Sequence, residues 1–299
     1  MTGNSAVPAD APLPPGVQEE SAPYDAGVPH PARVYAYWLG TKDHCQVDRD
    51  AAEEVMRHRP QVRATAQANR AFGRRVTSYA AQGCGIRQFL DIGTGLPAPD
   101  ATHEVAQHAA AGCRVVYADN DPVVLAHARA WLTPAAAASG TCGYIAADVR
   151  DPATLLEKAA SILDFSQPAA VWLLAVLHFV ADGDDPAGIV GELAAALAPR
   201  SLIAISHLTA DSAPDAVVAA AAAFNARASV PVCPRSHGEV TALFGELPLV
   251  WPGVVPITQW WPPFREAPGG TCDMYGGVAA VRPRKAQPDG TGLAGRADS

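Results

Sequence analysis

Three apolar runs in the first half of this chain each end on an aspartate: Phe89-Leu90-Asp91, Val115-Val116-Tyr117-Ala118-Asp119 and Ile145-Ala146-Ala147-Asp148. Each reads as a buried strand, and helical periodicity fills the gaps between them. Alternation of strand and helix argues for a parallel sheet covered by helices on both faces. Ligands bind such sheets beyond the carboxyl ends of the strands, where the strand order reverses. Three carboxylates at three strand ends therefore converge on one cleft. Gly93-Thr94-Gly95 follows the first of them, a turn in which bare backbone approaches a ligand closely.

The wider pattern extends this reading. Strands are expected over 86–91, 114–118, 143–146, 169–177 and 202–206, with helices over 101–111, 122–132, 152–160 and 186–197. Three helices are expected upstream, over 33–39, 48–58 and 61–82. Downstream come an alanine-rich helix over 213–228, a helix opened by the capping box Ser236-His237-Gly238-Glu239, and strands over 249–255 and 275–281. The domain reading is a disordered tail over 1–30, a helical cap over 31–82, a ligand-binding core over 83–281 and a second disordered tail over 282–299.

Composition narrows the function classes. With 299 residues, 49 % of them hydrophobic, the chain can bury a full core. A net charge of −8 counts against broad nucleic-acid binding, which needs a basic footprint. The six cysteines form no C-x-x-C pair, so a zinc site or redox dithiol is not expected, and reduced thiols fit a cytoplasmic protein. No basic n-region of a signal peptide precedes Arg33, and the apolar run over 169–180 is too short to span a bilayer. No membrane partner and no metal are expected.

The carboxylates say what kind of ligand fits. An acid at a strand end suits a molecule that offers positive charge and hydrogen-bond donors. S-adenosylmethionine offers a sulfonium, an amino group and ribose hydroxyls. Asp119 can accept from a ribose diol, with charge-assisted bonds worth ~1.5–3 kcal/mol each. Asp148 can accept from an adenine amine with the Val149 backbone nearby, and Asn120 lies along the adenine. Asp91 orders the glycine turn or meets the methionine amine through water. Asp121, followed by Pro122, reads as a helix N-cap. Gly93-x-Gly95-x-x-Ala98 also fits a dinucleotide fingerprint, which keeps an NAD-dependent oxidoreductase open as an alternative; Asp91 and Pro97 speak against it. A non-catalytic S-adenosylmethionine-binding or regulatory protein is the other alternative.

Asp91-x-Gly93-x-Gly95, Asp119, Asp148 and the run Trp172–His178 resemble motifs I to IV of class I S-adenosylmethionine-dependent methyltransferases. Further segments resemble an actinobacterial methyltransferase family once listed as a domain of unknown function: Ala32–Gly40, Ala68–Phe72, Gln88–Pro97, His103–Gln107, Asp119–Ala128, Val176–Val180 and Tyr275–Val278. The resemblance spans about residues 31–281. It implies a Rossmann-like doubly wound sheet of seven strands in the order 3-2-1-4-5-7-6, the last antiparallel, beneath an N-terminal helical cap. It also implies Leu177 as a cofactor contact, and no particular substrate. The chain departs from the family pattern in two places. Pro97 replaces the third glycine of the turn, which delays the following helix, and Thr41 replaces the second glycine after Leu39.

Other side chains are candidates. His178, after the fourth strand, is placed to take a proton from a nucleophile or to wall the pocket; His207 is a second candidate. Arg33, Tyr35, Tyr37, Lys42 and Arg70 are candidates for the cofactor carboxylate or sulfonium. Trp251, Trp260 and Trp261 line an apolar pocket or pack a long loop. Asp182 to Asp185 read as a solvated loop with Asp185 capping the next helix, and His103 with His108 miss zinc-protease spacing by one residue. The acceptor is expected to be a small molecule.

Overall fold

The computed structural model describes residues 27–131, 142–261 and 272–282. Most of both expected tails lies outside these residues. Residues 27–30, the end of the first tail, are described and packed: Arg33 donates to the Val28 carbonyl and the His30 N–H to Asp48.

The cap consists of α1 (Pro31–Leu39), α2 (Gln46–His58) and α3 (Val62–Ser78), which runs on through a π-turn at Tyr79–Gly83. Asp48 is wholly buried and binds the starts of the first two helices together, accepting from the His30 N–H, Arg33 Nε and the Cys45 N–H. The core then alternates as expected: β1 (Gln88–Ile92), α4 (Thr102–Ala109), β2 (Arg114–Asp119), α5 (Pro122–Trp131), β3 (Cys142–Ala146), α6 (Pro152–Ala159), β4 (Ala170–Leu174), α7 (Pro186–Ala196) and β5 (Leu202–Leu208). α8 (Pro214–Asn225), α9 (His237–Ala242), β6 (Val255–Pro256) and β7 (Met274–Ala280) complete it. The sheet has the order β3-β2-β1-β4-β5-β7-β6, with β7 antiparallel to both β5 and β6.

Strand residues alternate between two buried faces, as a central parallel sheet demands. Leu90, Val116, Val171 and Leu173 face one core; Phe89, Val115, Trp172 and Ala204 face the other, under α3. Val34, Ala52 and Val55 of the cap pack on Ala220 and Phe224 of α8. The cap is thus closed by a helix from the far end of the chain. Parallel register sets Asp91 beside Tyr117 and Asp119 beside Ala146, so the acids gather at the carboxyl edge.

Two strand expectations are corrected. The strand expected to reach Leu177 stops at Leu174, because Ala175 takes φ +59° and Val176 is helical, turning the chain into a short 3-10 turn at Leu177–Phe179. The strand expected over 249–255 reduces to a single bridge, Leu249 with Ala279, and the two residues of β6. Pro252 has no N–H to give a ladder and Gly253 turns the chain at φ +87°. The capping box holds: the Ser236 side chain accepts from the Glu239 N–H, and Glu239 accepts from the Ser236 N–H. Asp121 and Asp185 cap as read, accepting from the N–H groups of Val123 and Gly188. Among the described residues, no helix is long and apolar enough to cross a membrane.

Candidate cofactor and acceptor site

The glycine turn is built on left-handed backbone. Gly93 and Gly95 take φ +67° and +66°, a region closed to most side chains. A Cβ on Gly93 would also lie 2.8 Å from the Cβ of Val176, in the turn after β4. The Gly93 N–H donates to the Ala118 carbonyl (2.8 Å), tying the turn to β2.

The three acids differ in how much of their hydrogen-bonding capacity the protein already uses. A carboxylate offers about four acceptor positions. Asp119 accepts from the N–H groups of Gly95 and Asp121, both at 2.9 Å, and keeps two positions. Burial raises its pKa, against those two N–H groups. Asp91 accepts from Thr102 Oγ1 at 2.6 Å, and burial pushes its pKa up to about 6. Asp148 is filled: Arg150 supplies its N–H, Nε and Nη2, and Asn120 Nδ2 supplies a fourth donor. Its pKa falls to about 2, chiefly through the Arg150 side chain. The expected bond from Asp148 to an adenine amine therefore requires Asn120 or Arg150, both exposed, to give way.

One cavity of about 270 Å³ runs from these acids beneath α1 and on between α2, α3 and α8. Asp91, Gly93, Thr94, Gly95, Asp119, Asn120, Asp148, Val149, Tyr35, Arg70 and His178 line it. Arg33 and Leu177 do not. Arg33 turns inward, because Asp48 and the Val28 carbonyl take its guanidinium. Leu177 is fully buried in the sheet core, since the early end of β4 rotates it away.

His178 is 7 % exposed. Its Nδ1 faces the Leu208 N–H at 3.4 Å, and a backbone N–H can only donate, so the neutral ring carries its proton on Nε2. Burial first, then His207 and Arg235, hold its pKa well below the usual histidine value. His178 thus enters the cavity wall as a neutral N–H donor, which revises the reading as a proton acceptor. His207 is turned away from the cavity: its Nε2 meets Arg235 Nη1 at 2.8 Å and its Nδ1 the Leu208 carbonyl at 2.8 Å.

The comparisons with known proteins agree with this geometry. The model of a family described as S-adenosyl methyltransferase matches residues 17–282. This chain belongs to that family. A DUF574 family protein from Streptomyces avermitilis is 39 % identical, with a TM-score of 0.80 over 87 % of this chain and 99 % of its own. A Thermobifida fusca protein classed as a methyltransferase is 35 % identical, with a TM-score of 0.78 over 86 % of this chain and 96 % of its own. No curated protein sequence matches the chain. The protein is an S-adenosylmethionine-dependent methyltransferase, and S-adenosylmethionine is its cofactor.

Several residues of the methyltransferase escaped the sequence reading. Asn69 donates to the Tyr35 hydroxyl (3.1 Å) and accepts from the Ser206 hydroxyl (2.6 Å), whose oxygen also takes the Ala175 N–H (2.9 Å). This chain of bonds joins the cap to the turn after β4. Arg235, buried, donates to the carbonyls of Leu177 and Val180 (both 2.9 Å) and to Asp182, bracketing His178 from behind. Arg59 forks onto Asp273 with two bonds of 2.8 Å. Tyr37 is held by Glu53 and Arg63 away from the cavity. Trp260 packs against Phe72 and Tyr79, Trp261 stacks under Arg75, and Trp251 is exposed, so the aromatic segment packs a loop. Among the described residues, no group of three His, Cys, Asp or Glu side chains could hold a metal ion.

Proposed function

We propose that this methyltransferase acts on a small molecule held in the cavity beside its cofactor. The two acceptor positions left on Asp119 carry the cofactor pose, because they match a ribose diol in number. When bound, S-adenosylmethionine would supply an electrophilic methyl group and be left as its thioether. Asp119 holds the ribose, and Gly93 to Gly95 bring bare backbone up to the methionine portion. Asp91, buried and awaiting a positive partner, sets the amino end through water or through the turn. Asn120 and Val149 flank the adenine, and Asp148 joins once Asn120 swings aside. Tyr35 and His178 wall the reacting centre.

These residues hold rather than react. Fixing two reactants in attack geometry supplies ~7–11 kcal/mol of the barrier, enough that a methyl transfer of this kind needs no triad or metal. The cavity of about 270 Å³ and the net charge of −8 support a small acceptor over nucleic acid. The six thiols, all unpaired with one another, support a cytoplasmic protein.

Calorimetric titration with S-adenosylmethionine, S-adenosylhomocysteine and NAD tests the cofactor pose; binding of NAD alone would sink it. Transfer of label from methyl-labelled S-adenosylmethionine into a library of small acceptors tests catalysis. Labelling of none, with the cofactor bound, would favour a non-catalytic binder.

A further inference from the structure

The cavity has two chemically distinct halves. The half at β1, β2 and β3 carries Asp91, Asp119 and Asp148. The other half lies at the ends of β4, β5 and β7, between α2 and α8. Its walls are Val55, Val62, Val217, Ala220, Phe224 and Val232. These are aliphatic or aromatic and give nothing that a charged ligand would need.

The polar side chains there are committed to one another. Asn69 uses its carbonyl on Ser206 and its amide on Tyr35. Arg59 and Asp273 neutralise each other through a two-bond fork, and Ser212 donates to the same carboxylate. Thr65 bonds Cys272. The pair at Arg59 is held by a partner that is itself buried, so the guanidinium is not offered to a second anion without breaking the fork. Among the described residues of this half, His178 is the exception: its ring lines the cavity, its Nδ1 is taken by the Leu208 N–H, and its Nε2–H bonds none of the described residues. Arg70, which also lines the cavity, interacts with Asp91 in the acid half; in this half one donor, no unbalanced charge and apolar walls define a ligand. A charged group entering here would lose its water and find no counter-charge, a large penalty. An apolar ring system would gain from burial against the same walls.

We propose that the methyl acceptor is an uncharged, mostly apolar ring compound, seated between α2 and α8 with one oxygen accepting from His178 Nε2–H. This rests on the small-molecule methyltransferase reading above and adds the charge, polarity and anchoring atom of the acceptor.

The test uses the full chain saturated with S-adenosylhomocysteine and titrated with 1-naphthol, naphthalene and naphthalene-1-sulfonate. Expected are saturable binding of 1-naphthol and binding of the sulfonate weaker by at least about thirtyfold, from its unmatched charge. His178→Phe should weaken 1-naphthol about five- to tenfold, as loss of one hydrogen bond implies, and leave naphthalene within about twofold. Ala220→Trp should fill the space and abolish 1-naphthol binding with S-adenosylhomocysteine still bound; Val217→Phe serves if that variant does not fold. Sulfonate binding as well as naphthol, or naphthol binding unmoved by both cavity-filling and His178 variants, overturns the proposal while the cofactor reading stands. Failure of S-adenosylhomocysteine itself to bind the wild-type chain overturns the reading beneath it, and is seen before any naphthalene is added.

Discussion

Gly93→Ala offers the sharpest check on how the cofactor turn is built. The residue sits at φ +67°, where an L side chain costs about 1–2 kcal/mol. Its new Cβ would stand 2.5 Å from the Val176 Cγ2 and 2.8 Å from its Cβ, inside the ~3.5–4.0 Å at which carbons attract. Relief requires the turn after β4 to shift, and overpacking of this kind costs about 1–3 kcal/mol. The two terms together predict a loss of about 2–5 kcal/mol. They are separable. Val176→Ala removes the Cγ2 contact but keeps the Cβ at 2.8 Å and should rescue part of the steric loss, whereas Val176→Gly removes both contacts. A double-mutant cycle on urea denaturation should then show Gly93→Ala with Val176→Gly more stable than the sum of the singles by about the steric part, 1–3 kcal/mol, with the backbone part remaining. S-adenosylhomocysteine affinity, read by calorimetry, should fall with the single mutant and recover in part with the double. Additive behaviour, or a Gly93→Ala protein as stable as wild type, would refute the argument.

The remaining predictions follow from charge and hydrogen bonding. Asp91 has a folded pKa of about 6 against an unfolded value of 3.8, so the native state holds its proton between those values when the unfolded state does not. Its contribution to stability is therefore present at low pH and lost as pH rises through 6; Asp91→Asn should raise the cofactor-free melting temperature at pH 8 and weaken S-adenosylmethionine binding. Wild type lacking that gain on substitution would argue that Asp91 is not buried as a charge. Asp119→Asn can accept only one of the two N–H groups of Gly95 and Asp121 and turns an amide toward the other, so S-adenosylhomocysteine affinity should drop by about tenfold or more in calorimetry. Arg235→Met strips the charged donor from the Leu177 and Val180 carbonyls and should cost about 2–5 kcal/mol in denaturation, with Asp182 contributing little because it is exposed. Once an acceptor is in hand, the pH–rate profile should carry no inflection from His178 between pH 6 and 8, because its pKa lies well below that range.

Much of the candidate site's geometry was legible because strand-end acids are a local signal. Asp91, Asp119 and Asp148 follow apolar runs, and parallel pairing alone brings them together at one edge. The parallel sheet follows from the same alternation, and its strand order from the family resemblance. What the sequence concealed depends on partners supplied from elsewhere in the chain. Arg33 is a plausible anion binder until Asp48, fifteen residues on, folds back to take it. Asp148 looks open until Arg150 and Asn120 fill it. Asn69 acquires its place only through Ser206, 137 residues away. The proton on His178 is decided by a backbone N–H of β5, which no local pattern reveals. Val176 and Ala175 likewise read as strand, and only the positive φ at Ala175 shows where the strand ends.

The fork between Arg59 and Asp273 spans 214 residues of chain. In order of synthesis this divides the site in time. The turn at Gly93, Asp119 and Asp148 all precede α8 and β7 in the chain, so the acids can gather before the last strand is made. The acceptor half cannot: α2 and α3 wait for α8, and Arg59 waits for the residue just ahead of β7. Closing so long a loop is entropically demanding and comes late. Until that long-range contact forms, the cavity lacks its wall at α8 and its closing salt bridge at β7.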